Sequence, residues 1–231
     1  MRLKTPIVSL DRMFVSTFMP ILVHDFCQNQ EQHDITIVDF GTGQASLLQM
    51  MIRVAQGNPS KHFRLIGYDP HMNIGQVRSR ILIANAIRAS VGSNYSIELT
   101  TSKPRSADVV FAHFSLHHTP SVRHAVDQIA SMHPRYVLIA EYDFKTDGVG
   151  LTEFLDIFRD SEACRCELAQ FRQNAGDRDI GNDMCWQYHL QYGMADYILA
   201  VEAAGGKITR IHTSGTVFKF ERHKFLIEVQ F

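Results

Sequence analysis

The sequence predicts an α/β fold, a doubly wound and mostly parallel sheet with helices on both faces. Short apolar runs rich in β-branched residues alternate, over residues 35–143, with longer segments whose apolar side chains recur every three or four positions. The first run, Thr36-Ile37-Val38-Asp39-Phe40, passes through Gly41-Thr42-Gly43 into a leucine-rich helix start, the order of strand, tight turn and helix. A second run ends in Asp69-Pro70, where a parallel neighbour of the first strand would bring an acid beside that turn. At 231 residues and 45% hydrophobic, the chain is long enough for one sizeable core and short for two, so residues 1–231 are expected to form a single domain.

Residues 1–34 form the lead-in. Leu10, Met13, Phe14, Phe18, Ile21, Leu22 and Phe26 recur at mostly three- and four-residue spacings, which predicts an amphipathic helix over 9–28 that Pro20 should kink or divide. Arg2 and Lys4 ahead of this apolar stretch look like a weak secretion signal. Asp11, Arg12 and Pro20 interrupt it, no small-x-small cleavage site follows, and it is too short to span a bilayer. Cys27, Cys164, Cys166 and Cys185 show neither Cys-x-x-Cys spacing nor a regular framework, which argues against a disulfide scaffold or structural zinc. A cytoplasmic chain with reduced thiols and no membrane partner is the expectation. The net charge of −1, from 23 basic and 24 acidic residues, includes no basic run able to track a phosphate backbone, so no nucleic-acid partner is expected.

The glycine turn carries the chemistry. Glycine tolerates positive φ and lets the backbone approach a ligand, while the helix start behind it offers unpaired N–H groups. A nucleotide-like ligand suits such a site. A dinucleotide fingerprint would place Gly or Ala three residues after Gly43, where Ser46 stands, and its acid further downstream. Here the acid, Asp39, comes first and Ala45 follows the second glycine. Asp39-Phe40-Gly41-Thr42-Gly43-Gln44-Ala45 resembles the Asp/Glu-x-Gly-x-Gly-x-Gly first motif of class I S-adenosylmethionine-dependent methyltransferases, with Ala for the last Gly.

Later segments extend the resemblance. A helix over 46–56 is stopped by Gly57-Asn58-Pro59, a strand over 63–68 follows, and Asp69 then stands where the family holds the ribose hydroxyls; as N-cap of the next helix it has a second reading. A helix over 73–90 and a strand over 95–100 come next. There the family usually carries an Asp for the adenine amine, and this chain offers Thr100, Thr101 and Ser102. Ala107-Asp108-Val109-Val110-Phe111-Ala112, then His113-Phe114-Ser115-Leu116-His117-His118, looks like the fourth motif of small-molecule methyltransferases. A helix over 121–132 and a strand over 136–143 complete the cofactor-binding core at 35–143.

Residues 144–206 are dense in aromatic side chains and longer than a plain crossover needs. They read as a helical cap or lid, with a helix over 186–204 ended by Gly205-Gly206. Residues 207–212, and 216–220 with 225–231, look like the family's antiparallel closing strands. The resemblance thus implies a seven-stranded, mostly parallel sheet with an antiparallel last strand, helices on both faces and a helical cap.

It also implies S-adenosyl-L-methionine as cofactor and methyl transfer to an O, N or C atom of a small, aromatic-type acceptor, by a monomer or homodimer. Gly41, Gly43 and Ala45 would cradle the methionine part, Asp39 would meet its ammonium, Asp69 with Pro70 the ribose, and His113-Phe114 the sulfonium side. His117, His118, Glu141 and His189 are candidate bases, since a neutral imidazole titrates near physiological pH. One of His117 and His118 packing while the other is solvated is an equally simple reading. Trp186, Tyr188, Tyr192 and Tyr142 would face a planar substrate or pack the cap. His113, His117, His118 and His124 cluster in sequence without a known ligand spacing, so no metal is expected. A non-catalytic or regulatory protein that keeps the fold, and a methyltransferase acting on protein or RNA, stand as alternatives. A nicotinamide oxidoreductase is disfavoured by Asp39 and Ser46.

Overall fold

The computed structural model of the chain describes residues 7–9, 15–43, 45–79, 81–119, 121–143, 192–214 and 224–231. Strands β1 (Ile7–Ser9), β2 (Asp34–Phe40), β3 (His62–Tyr68), β4 (Tyr95–Thr100), β5 (Val109–His113), β6 (Tyr136–Tyr142), β7 (Lys207–Ser214) and β8 (Lys224–Gln230) form one sheet in the order β1-β7-β8-β6-β5-β2-β3-β4. Only β8 runs antiparallel, against β6 on one side and β7 on the other. The seven expected strands are present with the reversed last strand, and the three residues of β1 add an eighth at the edge, parallel to β7.

The helices are α1 (Val15–Gln28), α2 (Ser46–Gln56), α3 (Ile74–Ser79), α4 (Ile81–Ala89), α5 (Val122–Ala130) and α6 (Met194–Ala203). Alternation along each buried strand sends successive side chains to opposite faces. Ile37, Leu65, Val109, Phe111, Leu138 and Leu226 meet Met19, Val23, Leu48, Met51 and Val77 on the face covered by α1 to α4. Val38, Val110, Val137, Ile139 and Ile227 meet Val122, Val126, Ile129, Tyr197 and Val201 of α5 and α6 on the other.

Two boundaries differ from the sequence reading. Ser9, where the expected helix starts, belongs to β1, and α1, described from Val15, runs through Pro20 undivided. Packing explains this, because Met19, Leu22, Val23 and Cys27 are buried against the sheet and hold both halves in one line. α6 begins at Met194, since Gly193 is extended at φ −109° and its N–H is taken by Asp196. A helix continuous from residue 186 therefore does not occur at 192–193. The expected strand at 216–220, and the cap between residues 144 and 191, lie outside the described residues.

The sheet reverses its order of addition at β2. β3 and β4 are added on one side, β5 and β6 on the other, so the crevice beyond the carboxyl ends of β2 and β5 is where a ligand finds room. Among the described residues no helix is long and apolar enough to cross a membrane.

Candidate active site

Three residues of positive φ, at alternate positions, shape the turn after β2. Gly41 has φ +76°, Gly43 +48° and Ala45 +59°. The N–H groups of Gly41 and Thr42 both donate to the Tyr68 carbonyl at 2.8 and 3.0 Å, which ties the turn to the end of β3. At Gly41 a Cβ would meet the Ser115 Cβ at 2.5 Å, so this glycine is required both by its φ and by the approach of the β5 loop. At Gly43 a Cβ would meet nothing within 4 Å. The open side of the turn is therefore a cradle, in front of the first turn of α2.

Two carboxylates border that cradle. Asp39 is 3% exposed and accepts the Thr42 hydroxyl at 2.6 Å. Burial pushes its pKa up to about 7, the Thr42 bond opposes the rise, and the nearby Asp69 adds to it. Asp69 accepts the Gly43 N–H at 3.2 Å and the His71 N–H at 2.8 Å, and its own N–H donates to the Thr100 carbonyl. The acid that ends β3 is thus in direct contact with the glycine turn, as the parallel pairing of β2 and β3 requires. Pro70 follows it, exposed. Thr100 is engaged in a turn of its own with Ser102.

On the other side of the crevice the chain leaves β5 through His113 and Phe114. Phe114 carries φ +47°, an uncommon value for an aromatic residue that marks local strain. The rings of His113 and Phe114 lie 4.4 Å apart, and the Lys224 ammonium sits 5.8 Å from the centre of the Phe114 ring. The His113 Nε2 is buried with no hydrogen-bond partner. Burial pulls the His113 pKa down to about 4; Glu141 opposes the fall and Lys224 adds to it.

Glu141 organises the loop that follows. Fully buried in β6, it accepts the Ser115 and Leu116 N–H groups on Oε1 at 2.8 and 2.7 Å, and its Oε2 lies 2.6 Å from the His117 Nδ1. His117 is 3% exposed. A carboxylate only accepts, so the His117 Nδ1–H donates and the basic lone pair belongs to Nε2. Ser115 in turn donates its hydroxyl to the Phe40 carbonyl at 2.8 Å, joining this loop to the glycine turn. At the end of β6 the Asp143 carboxylate accepts the Met194 N–H and caps the start of α6.

The residues expected from sequence sort as follows. Asp39, Gly41, Gly43, Ala45 and Asp69 gather around the turn after β2, and His113, Phe114, His117 and Glu141 lie at the carboxyl ends of β5 and β6. Tyr192 lies at the start of α6 against Tyr197, with ring centres 6.3 Å apart. Tyr142 is placed in β6 by its backbone alone, and the side chains of Tyr142 and His118, with all of Trp186, Tyr188 and His189, lie outside the described residues. Thr42, Ser115 and Lys224 were not anticipated. The first two sit inside motifs already singled out, and only Lys224 had no local signal. Among the described residues, no three His, Cys, Asp or Glu side chains gather as they would around a metal ion.

The site fits an adenosyl sulfonium donor. The open cradle at Gly43 accepts close approach, and the two acids are suited to an ammonium and to vicinal hydroxyls. Comparison with solved structures gives the same fold at low sequence identity. The CurJ carbon methyltransferase aligns with a TM-score of 0.55 at 12% identity, over 93% of this chain and 53% of that one. A Bacillus halodurans C-125 protein assigned as a methyltransferase aligns at 0.56 and 9%, over 91% and 97%. OxaC in complex with SAH and oxaline aligns at 0.56 and 12%, over 94% and 47%. The chain thus spans about half the length of CurJ and OxaC. No curated protein matches this sequence. The model of the methyltransferase domain family matches residues 14–188. With the glycine turn, the acid ending β3 and the reversed β8 all in place, the chain belongs to that family, and is a class I, Rossmann-like methyltransferase with S-adenosyl-L-methionine as its methyl donor.

Proposed function

We propose that the chain methylates an O, N or C atom of a small metabolite, with aromatic acceptors the first to try, and that His117 is its general base. The observation that carries the second part is the buried pair of His117 and Glu141 at the carboxyl ends of β5 and β6. Bound S-adenosyl-L-methionine supplies an electrophilic methyl group on a sulfonium, which leaves as a neutral thioether when the acceptor's lone pair takes the methyl carbon.

The protein's own share is alignment and proton removal. Gly41, Gly43 and Ala45 would cradle the donor's methionine part, Asp39 would meet its ammonium directly or through water, and Asp69 its ribose. Holding donor and acceptor at about 3–3.5 Å supplies several kcal/mol of the barrier. Glu141 fixes the ring and tautomer of His117, so that Nε2 takes the acceptor's proton as the new bond forms, and it stabilises the imidazolium that results. The solved neighbours that carry oxaline or meleagrin as bound small molecules support a small acceptor.

A binding protein that keeps the fold without the transfer is the second reading, and the enclosure of His117 at 3% exposure favours it. Turnover separates the two. Formation of S-adenosylhomocysteine is expected from S-adenosyl-L-methionine with a pool of phenols, amines and activated carbon acids. In His117→Gln the rate should fall about 100-fold or more with affinity for S-adenosylhomocysteine retained. Equal loss of rate and affinity would make His117 a structural residue, and absence of turnover with every acceptor would favour the binding protein.

A further inference from the structure

We propose that Ser115 is a positioning residue that couples the donor cradle at the glycine turn to the orientation of His117, so that filling the cradle steadies the base. The inference rests on the methyltransferase reading and adds a regulation to the same site.

Ser115 is the point at which two loops from different strands meet. Its hydroxyl donates to the Phe40 carbonyl at 2.8 Å, one residue before the first glycine of the turn. Its backbone N–H donates to Glu141 Oε1 at 2.8 Å, and the same carboxylate takes the Leu116 N–H on Oε1 and holds the His117 Nδ1 at 2.6 Å on Oε2. One residue is thus bonded both to the backbone that leads into Gly41 and to the acid that sets the His117 ring. Contact is as close as the hydrogen bonding. A Cβ at Gly41 would lie 2.5 Å from the Ser115 Cβ and 2.8 Å from its Oγ, so neither loop can move towards the other without displacing it.

Backbone strain makes this joint responsive. Phe114, immediately before Ser115, holds φ +47°, and its N–H donates to the Ala140 carbonyl at 2.9 Å. An aromatic residue keeps such a conformation only where its surroundings over-determine it. The ties here are the Ala140 bond on the strained residue and the two Ser115 bonds after it. Losing the Ser115 hydroxyl removes one of them and lets Phe114 relax, and His117 is three residues further along. On the donor side the turn is fastened to the end of β3, with Gly41 and Thr42 on the Tyr68 carbonyl and Gly43 on Asp69. A donor seated in the cradle adds its own contacts to that turn and stiffens it against Ser115. Coupling of this kind is reciprocal, so a well-set His117 loop also tightens the hold on the donor.

The test follows the His117 ring nitrogens by 15N NMR in the full chain, with S-adenosylhomocysteine as the probe and its affinity measured by calorimetry. A saturating amount of the probe should shift the His117 signals. In Ser115→Ala that response should shrink at least threefold, and affinity for the probe should fall about threefold to tenfold. A response of full size in Ser115→Ala, or none in the unaltered chain when calorimetry shows binding, would overturn the proposal. A second arm needs no donor. Gly41→Ala sets a methyl group against Ser115 and should displace the His117 signals of the ligand-free chain. In Ser115→Gly, where only the Cα remains, at 3.8 Å, the same change should displace them no further. Equal displacement in the two backgrounds, or none in either, would likewise overturn it. Absence of probe binding to the unaltered chain counts against the methyltransferase reading, and the second arm then decides the coupling by itself.

Discussion

Replacing Asp39 by Asn is expected to stabilise the ligand-free protein and weaken its hold on S-adenosyl-L-methionine, two effects of opposite sign from one buried charge. Burial holds the Asp39 carboxyl at a pKa of about 7 in the fold, well above the ordinary carboxylate range. A raised acid binds its proton more tightly when folded. Its cost to stability is absent below about pH 4, grows as pH rises, and is complete above about pH 7. The whole rise corresponds to roughly 4 kcal/mol as an upper bound, so Asp39→Asn should raise the melting temperature at pH 8 by about 5 °C, and by less at pH 5. The isosteric amide keeps an oxygen for the Thr42 hydroxyl. Affinity for the sulfonium donor should fall by about 1.5–3 kcal/mol, the range for a hydrogen bond to a charged group. Thermal melts at the two pH values and a calorimetric titration check both signs; a melting temperature that falls equally at both would mean that Asp39 is charged and well solvated in the fold.

Glu141→Ala should be the most damaging single substitution in the site. It removes the acceptor from two backbone N–H groups and from the buried His117, leaving three donors unsatisfied in a region that excludes water. Breaking such a network costs about 3–5 kcal/mol, which for a chain of this length is roughly 10 °C in melting temperature. Glu141→Gln retains an acceptor oxygen and should lose about half as much. A melting temperature unchanged in Glu141→Ala would show that the loop of Ser115 to His117 is held by something else.

The pair of acids around the glycine turn was legible in the sequence because local chemistry encodes it. β2 and β3 are successive apolar runs, and successive parallel strands are commonly neighbours, so Asp69 was bound to fall near Gly43. The fourth motif was legible for the same reason. Less legible was the division of labour among its histidines. Nothing in a His-His pair says that His117 turns into the protein towards Glu141 while His113, four residues earlier, keeps an unbonded nitrogen. That depends on which face of β5 and β6 each side chain takes. The tight approach of Ser115 to Gly41 was hidden too, since it involves two loops that meet only when β2 pairs with β5. Lys224 shows the limit most clearly. It lies more than a hundred residues from His113 in sequence, and only the reversal of β8 between β6 and β7 carries it to the carboxyl rim. The apolar periodicity starts a helix at residue 9, yet Ser9 belongs to β1, which only its pairing with the distant β7 defines; residues 10–14 lie outside the described residues.

Isothermal titration calorimetry of the full chain with S-adenosyl-L-methionine, S-adenosylhomocysteine and, as the competing ligand, NAD tests the central claim most directly. The account predicts saturable binding of both adenosyl ligands in the micromolar range and none of NAD. Binding of NAD alone, or of none of the three, would contradict it, because the cradle formed by Gly41, Gly43, Asp39 and Asp69 would then serve some other ligand.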